Sequence, residues 1–192
     1  MNVKSLTGRA AVAAGLVLAL GCGVSAQAST AGPRTLGGKA RATTVPACSQ
    51  KNLGVSAVKE PADSKDARHL LLIVQNAGDK KCNLYRYPLV RLGADARTTV
   101  PVIKDSDPDP GVPVTLAPGQ EGYAALLVSG GARDEYPAKS ITLNLQGRQP
   151  GSGAGKAIDV PMPVKTLYAD DGQLVTYWTT ASGYALDFIM SK

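Results

Sequence analysis

The sequence predicts an all-β protein folded as a two-sheet sandwich. From residue 47 onward the apolar runs are about four to eight residues long, and clusters of Gly, Pro, Asp and Asn separate them. No stretch keeps a helical period of 3.6 residues over about three turns. About eight strands within roughly 145 residues fit two packed sheets.

The strand predictions follow the apolar runs along the chain. The strongest run, Leu70 to Val74, is apolar on both faces and is therefore expected at the centre of a sheet. Thr142 and Asn144 alternate with apolar residues, as in a half-buried strand. The predicted strands are 53–59, 69–75, 89–93, 98–103, 113–116, 122–128, 140–146, 157–160 and 174–179.

Three segments between or after these runs differ from them in composition. Residues 104–111 contain two prolines, which remove ladder donors, and are predicted to be a loop. Residues 149–156 are a glycine-rich bend. The last stretch, 170–192, carries four aromatic residues and is expected to supply a final strand and a tail that packs on the sandwich.

Residues 1–28 have the three zones of a secretory signal. Lys4 and Arg9 form a positive start, an apolar stretch follows from Ala10 to Leu20, and an A-x-A site precedes Ser29. The apolar stretch is shorter than the roughly 18 residues that a membrane span needs. We therefore expect cleavage between Ala28 and Ser29, a flexible basic linker at 29–46 and a β-sandwich domain at 47–192. A buried N-terminal helix is the alternative.

Cys22 indicates an alternative processing of the same segment. Leu20-Gly21-Cys22 is similar to the end of a lipobox, in which the cysteine is lipidated and anchors the protein. Ala19 stands where the usual leucine is expected. Soluble secretion is the favoured prediction, and lipid anchoring through Cys22 is the alternative.

Cleavage would leave two cysteines, Cys48 and Cys82. An even number of cysteines in an oxidising compartment favours a disulfide. The chain-entropy model assigns a loop of this length about 4 kcal/mol of stabilisation. Two unpaired buried thiols are the alternative.

The positive charge is concentrated outside the predicted domain. The formal net charge is +6, whereas residues 47–192 carry 16 Lys and Arg against 15 Asp and Glu. Recognition of phosphate backbones needs clustered cations on a folded face. Nucleic acid is therefore not an expected partner, and a solvated linker explains the basic arm better than contact with an anionic cell wall does.

Two passages resemble a known family. The first runs from Asn76 to Gly78 and continues with Cys82-Asn83-Leu84-Tyr85-Arg86-Tyr87-Pro88; the second is Val114-Thr115-Leu116-Ala117-Pro118-Gly119-Gln120. With Cys48 upstream, they resemble the actinobacterial secreted or lipid-anchored domain of unknown function 4232. The resemblance implies an immunoglobulin-like β-sandwich and no established activity, so it supplies no functional residues.

The chain departs from the pattern of that family in two ways. Arg86 stands where the family usually has Gly before Tyr-Pro, so a different turn is expected there, and the late cysteines of other members are missing. Within the motifs, Asn76 and Gly78 are expected to adopt positive φ. Pro118 and Gly119 suit the centre of a type II turn.

The residues favour few kinds of chemistry. His69, the only histidine, begins a strand and lacks a nucleophile elbow, and no set of zinc ligands is present. No catalytic residue and no cofactor are expected. Asp105, Asp107 and Asp109 alternate like the start of an EF-hand, but the required Gly and Glu are absent, which leaves a weak calcium loop or a solvated acidic loop.

Tyr85 and Tyr87 are two residues apart, so in an extended strand they would point to the same side. Such a pair would either stack on sugar rings or fill the core with its hydroxyl groups hydrogen-bonded. Trp178 and Phe188 are expected in the core. We therefore expect a secreted, non-enzymatic interaction module of unknown ligand, whose partner is an unknown extracellular protein or a cell-wall glycan. A glycan- or cell-wall-binding module is the alternative, and a secreted hydrolase or hydrolase inhibitor is the least supported class.

Overall fold

The computed structural model describes residues 44–131 and 133–192. The predicted signal at 1–28, including Cys22 and the Ala28–Ser29 cleavage site, lies outside the described residues, as do residues 29–43 of the predicted linker. No helix of the described part is long and apolar enough to cross a membrane.

Strands dominate the described residues. In chain order they are β1 (Leu53–Lys59), β2 (His69–Asn76), β3 (Cys82–Leu92), β4 (Val114–Leu116), β5 (Glu121–Leu127), β6 (Tyr136–Ala138), β7 (Ile141–Gln146), β8 (Ile158–Val160), β9 (Leu167–Ala169) and β10 (Leu174–Val175). A helix, α1 (Ser182–Asp187), follows, and short 3-10 turns lie at Gln50–Asn52 and Lys104–Ser106.

The strands form two main sheets and one small one. One main sheet has the order β1-β2-β5-β10, the other has the order β4-β3-β7-β8, and β6 pairs with β9. All strand pairings are antiparallel. In immunoglobulin terms, β1, β2 and β5 take the places of strands A, B and E, and β3, β7 and β8 take those of C, F and G. The predicted all-β sandwich is therefore confirmed.

The run at 70–74 lies in the centre of its sheet, as predicted. In β2, Leu70 and Leu72 are fully buried in the core between the sheets. Leu71 points to the opposite face, opposite Ala125 of β5. On that outer face Ala185 and Ile189, from α1 and the residues after it, pack on Ala125 and Leu127.

The core lies between the two main sheets. Its buried side chains include Leu70, Leu72, Val74, Ala124 and Leu126 from one sheet, and Leu84, Val90, Leu92, Leu143 and Leu145 from the other. Trp178 belongs to this core, as predicted, with 1% of its surface exposed. Phe188, by contrast, is only half-buried and makes an edge contact with Tyr184.

Strand boundaries differ from the predictions where prolines or bulges intervene. The predicted strand at 98–103 is wrong, because Pro101 interrupts pairing and only a bridge from Val102 to Val175 forms there. β3 begins seven residues before the predicted residue 89. β6, β9 and α1 were not predicted.

The predicted turns have different outcomes. Gly119 has a φ of 77° and the N–H of Gln120 donates to the carbonyl of Ala117, as in the predicted type II turn. The prediction of positive φ at Asn76 and Gly78 is wrong, since neither is among the positive-φ residues described. Asn76 is buried instead, and its side chain bonds the backbone of Gly78, Lys80 and Leu116, which shapes the turn without αL backbone.

Candidate functional site

A disulfide fixes the first described residues to β3. Cys48 and Cys82 are bonded, with an S–S distance of 2.10 Å and a Cα–Cα distance of 4.8 Å, so the predicted pairing is confirmed. The backbone N–H of Cys48 donates to the carbonyl of Asn83 at 2.9 Å, and the N–H of Asn83 donates to Pro46 at 2.8 Å. We call residues 44–48 the strap, because they run beside the start of β3.

A bulge interrupts β3 directly after this contact. Tyr85 pairs with Gln146 of β7, but the next pair is Leu89 with Asn144, so β3 holds two extra residues there. Within the bulge Arg86 has a φ of 56°, in the left-handed region. For a non-glycine residue this conformation costs about 1–2 kcal/mol. The different turn that was expected at Arg86 is therefore present.

The Arg86 side chain bridges the bulge to the end of β7. Its two terminal nitrogens donate to the carbonyls of Gly147 at 3.0 Å and Arg148 at 2.9 Å. Its own carbonyl accepts the N–H of Trp178 at 2.9 Å. These bonds hold the guanidinium in one orientation and offset part of the backbone strain.

Residues 104–111, which we call the acidic loop, form the opposite side of the site. Ser106 is buried, and its hydroxyl accepts the N–H of Tyr177 at 3.0 Å. The same hydroxyl donates to the carbonyl of Ile103 at 2.6 Å. One buried serine therefore fixes Tyr177 against the loop that carries Asp107.

Between the strap, the bulge and the acidic loop lies a cavity of about 420 Å³. We call it the β3 cavity; its volume falls within the range of small-molecule sites. It is lined by Thr44, Val45, Asn83, Leu84, Tyr85, Arg86, Asp107, Gly111, Val112, Pro113, Val114, Arg148, Tyr177 and Trp178.

Two side chains of the cavity have unusual environments. The pKa of the Tyr177 hydroxyl is raised, first by burial and then by the charge of Asp107, so this hydroxyl stays protonated near neutral pH. The indole Nε1 of Trp178 is buried, and no described residue accepts a hydrogen bond from it. A buried donor without an acceptor is costly and calls for an explanation.

The predicted tyrosine pair is divided. Both rings are half-buried, but Arg86 breaks the extended backbone on which the expectation of one shared face depended. Tyr85 lines the β3 cavity. Tyr87 is not part of this lining; its ring makes an edge contact with that of Tyr177, with 5.1 Å between the ring centroids.

The weak calcium prediction is not supported by the geometry. Among the described residues, no group of three or more His, Cys, Asp or Glu side chains could hold a metal ion, and this includes Asp105, Asp107 and Asp109. The loop makes a 3-10 turn at Lys104–Ser106 and directs the Ser106 side chain inward, so the three acids do not converge. Asp107 lines the cavity alone among them.

His69 lies at the start of β2, outside the cavity lining. Its pKa is lowered, first by burial and then by the charge of Arg68. No catalytic role was predicted for it.

A larger cavity, of about 540 Å³, lies beside β9. Its charged lining residues Lys65, Asp66, Arg68 and Glu135 are exposed. Arg68 donates its Nε–H to the carbonyl of Ser129 at 2.8 Å. This cavity contains neither an orphaned donor nor strained backbone, so the β3 cavity is the stronger candidate site.

Most residues of this site could not be identified from the sequence. Arg148, Tyr177 and Val112 had no distinguishing pattern, because they are distant in sequence and meet only in the fold. Arg86 was noticed as a departure from a family pattern but was not connected with a site. An arginine where a turn favours glycine is the signal that points to it.

Comparison with known proteins identifies a family. No curated protein and no solved structure matches the chain. A family model described as a domain of unknown function (DUF4232) matches residues 48–179, a segment that begins at the disulfide and ends just after Trp178. The chain therefore belongs to the DUF4232 family.

Proposed function

We propose that the protein is a secreted, non-enzymatic binding module whose ligand occupies the β3 cavity. The observation that carries this proposal is the lining of the cavity, in which the half-buried Tyr85 and Tyr177 lie beside the half-buried Arg86. A few polar side chains among aromatic and apolar ones are the usual lining of a ligand site.

Secretion is supported by the disulfide. Disulfides such as Cys48–Cys82 form and persist in oxidising, extracytoplasmic compartments. The three-zone pattern of residues 1–28 points to the same destination. Anchoring through Cys22 remains the alternative location.

Binding rather than catalysis is supported by the titratable groups of the cavity. Glycoside hydrolysis usually needs two facing carboxyl groups, whereas Asp107 is the one acid among the described lining residues. Tyr177 holds its proton, because its pKa is raised, and is poorly suited to act as a base near neutral pH. His69, the only histidine of the chain, does not line the cavity.

A glycan or cell-wall component is the alternative to a protein partner. Tyr85 and Tyr177 place aromatic surface beside hydrogen-bonding groups in one cavity. Aromatic rings with adjacent polar groups suit the mixed surface of a sugar.

The test is to block the cavity and measure retention on cell envelope. Val112 lines the cavity and is 58% exposed, so Val112→Trp should obstruct the entrance without disturbing the core. We expect cosedimentation of the purified protein with an insoluble envelope fraction to weaken by at least about tenfold in apparent affinity.

Val58→Trp is the matched control. Val58 is also an exposed valine, at 37%, but lies on β1 and does not line the cavity. This variant should be retained like the wild type. Equal retention of the wild type and Val112→Trp would contradict a role for the β3 cavity.

A further inference from the structure

We infer that the β3 cavity selects a carboxylate-bearing sugar, and that Arg86 binds its carboxylate. The inference rests on the proposed binding function of the cavity and adds the chemical class of the ligand. It follows from the charge of Arg86, the fixed orientation of its guanidinium and the character of the other cavity walls.

The charge of Arg86 is not neutralised by the protein. Its partners are two neutral carbonyls, those of Gly147 and Arg148. Across residues 44–131 and 133–192, no acid lies within ion-pair distance of its guanidinium. A half-buried cation without a counter-ion attracts an anion, since the cost of desolvating its charge is then offset.

The orientation of Arg86 suits a carboxylate in particular. A guanidinium has five N–H donors in a rigid plane, and the two carbonyls use two of them. The others can engage the paired oxygens of a carboxylate, which match the geometry of the fork. Because the carbonyls already hold the side chain, little additional entropy is lost on binding.

The cavity is also net positive. Arg148 lines it, is exposed, and adds a second guanidinium. The single acid of the lining, Asp107, acts after burial in raising the pKa of the Tyr177 hydroxyl. Two cations against one carboxylate therefore favour an anionic ligand over a neutral one.

The remaining walls suit a sugar ring. Val112 and Pro113 give one apolar side, and Tyr85 and Tyr177 supply aromatic rings with hydroxyl groups. Trp178 lies beside them in the lining. A sugar acid presents all three matching features, namely an apolar ring face, hydroxyl groups and a carboxylate.

A peptide carboxylate fits less well. Peptides commonly bind by adding a strand to an open sheet edge. At the cavity, Asn83 of β3 already pairs with Thr115 of β4 on one side and bridges to Ala47 of the strap on the other. Both backbone edges of β3 are therefore occupied, which leaves side-chain recognition as the mode available there.

The test uses the single tryptophan of the chain as a reporter. The indole N–H of Trp178 gives one cross-peak in a ¹⁵N–¹H correlation spectrum. D-glucuronate should shift this peak in a saturable manner. D-glucose has the sugar ring without a carboxylate, and acetate has a carboxylate without the ring. Each should bind at least about tenfold more weakly than D-glucuronate.

Arg86→Gly is the decisive variant. Glycine accepts the positive φ without strain, so the backbone of the bulge is retained while the guanidinium is removed. We expect the response to D-glucuronate to weaken by at least about tenfold. Arg91→Ala is the control: it removes the same charge from an exposed position of β3 outside the cavity and should bind like the wild type.

Four results would overturn the inference. The first is a response to D-glucose equal to that to D-glucuronate, and the second is tighter binding of acetate, or of N-acetyl-D-alanine as a peptide-like carboxylate, than of D-glucuronate. The third is unchanged binding of D-glucuronate by Arg86→Gly, and the fourth is no response to D-glucuronate. If Arg86→Gly does not fold, Val112→Trp takes its place, because it obstructs the cavity while Arg86 is intact. Unchanged binding of D-glucuronate by Val112→Trp would then contradict the inference. Envelope retention that Val112→Trp abolishes, together with no response to D-glucuronate, would leave the proposed function standing and reject only the ligand class.

Discussion

Arg86 shows how one residue combines backbone strain, packing and charge. Its φ of 56° would suit glycine, and its guanidinium bonds to two carbonyls that lie about 60 residues further along the chain. The sequence could show that arginine replaces glycine in the family pattern. It could not show which carbonyls the side chain reaches, since Gly147 and Arg148 become neighbours only when β3 pairs with β7.

His69 gives the protein a specific pH dependence at the residue scale. Its pKa is lowered in the folded state, first by burial and then by Arg68, while the backbone of Lys192 and Ile189 acts in the opposite direction. The unfolded chain therefore binds the proton more tightly than the folded one. Stability should be fully present above a pH of about 6.5 and should decline as the pH falls through the folded-state pKa.

The measurement is the melting temperature between about pH 7.5 and about pH 5, the range in which histidine titrates. His69→Gln should flatten the decline, because His69 is the only histidine of the chain. A wild-type melting temperature that rises on acidification, or an equal decline in His69→Gln, would contradict this assignment.

At the scale of elements, the long strands could be predicted from the sequence and the short ones could not. β1 matches its predicted bounds, because apolar residues alternate along it. β2 extends one residue further than predicted, because its continuous apolar run fixes the strand but not its last residue. β6 and β9 have three residues each, too few to show a period. α1 is six residues long, less than two turns, so its helical pattern was equally invisible.

The strap is the element whose stability depends on one bond. Cys48 and Cys82 are 34 positions apart in the sequence, for which the chain-entropy model gives about 4 kcal/mol. Cys48→Ala combined with Cys82→Ala should lower the free energy of unfolding by about that amount, as measured by urea denaturation. It should also weaken ligand retention, because Thr44 and Val45 form one wall of the cavity.

A reductant provides the control for this experiment. It should destabilise the wild type and leave the double variant unchanged, since only the wild type holds a disulfide. Equal stability of the oxidised wild type and the double variant would show that the strap is held by its backbone hydrogen bonds alone.

For the whole molecule, the fold could be predicted and the cavity could not. Alternation and turn residues report on which face of a strand is buried, and this is enough for a sandwich. The cavity draws on the strap, β3, the acidic loop, Arg148 and the Tyr177–Trp178 segment, which are separated by up to about 130 residues. A constellation assembled over such distances leaves no local pattern.

The proposed processing of the whole chain is tested by mass. The protein isolated from culture fluid should begin at Ser29, because an A-x-A site precedes it in the sequence. Intact-mass analysis resolves this start from others. A mass that shows a diacylglyceryl group on Cys22 would establish the anchored form instead.

The disulfide also determines how the domain would respond to mechanical tension. A pull on the chain that enters at the strap passes through the Cys48–Cys82 bond directly into β3, and the 33 residues between the two cysteines carry no load. β1 and the central strand β2 lie within that shielded segment. At about 3.3–3.6 Å per residue, an oxidised molecule stretched to full length would be shorter than a reduced one by roughly 110–120 Å.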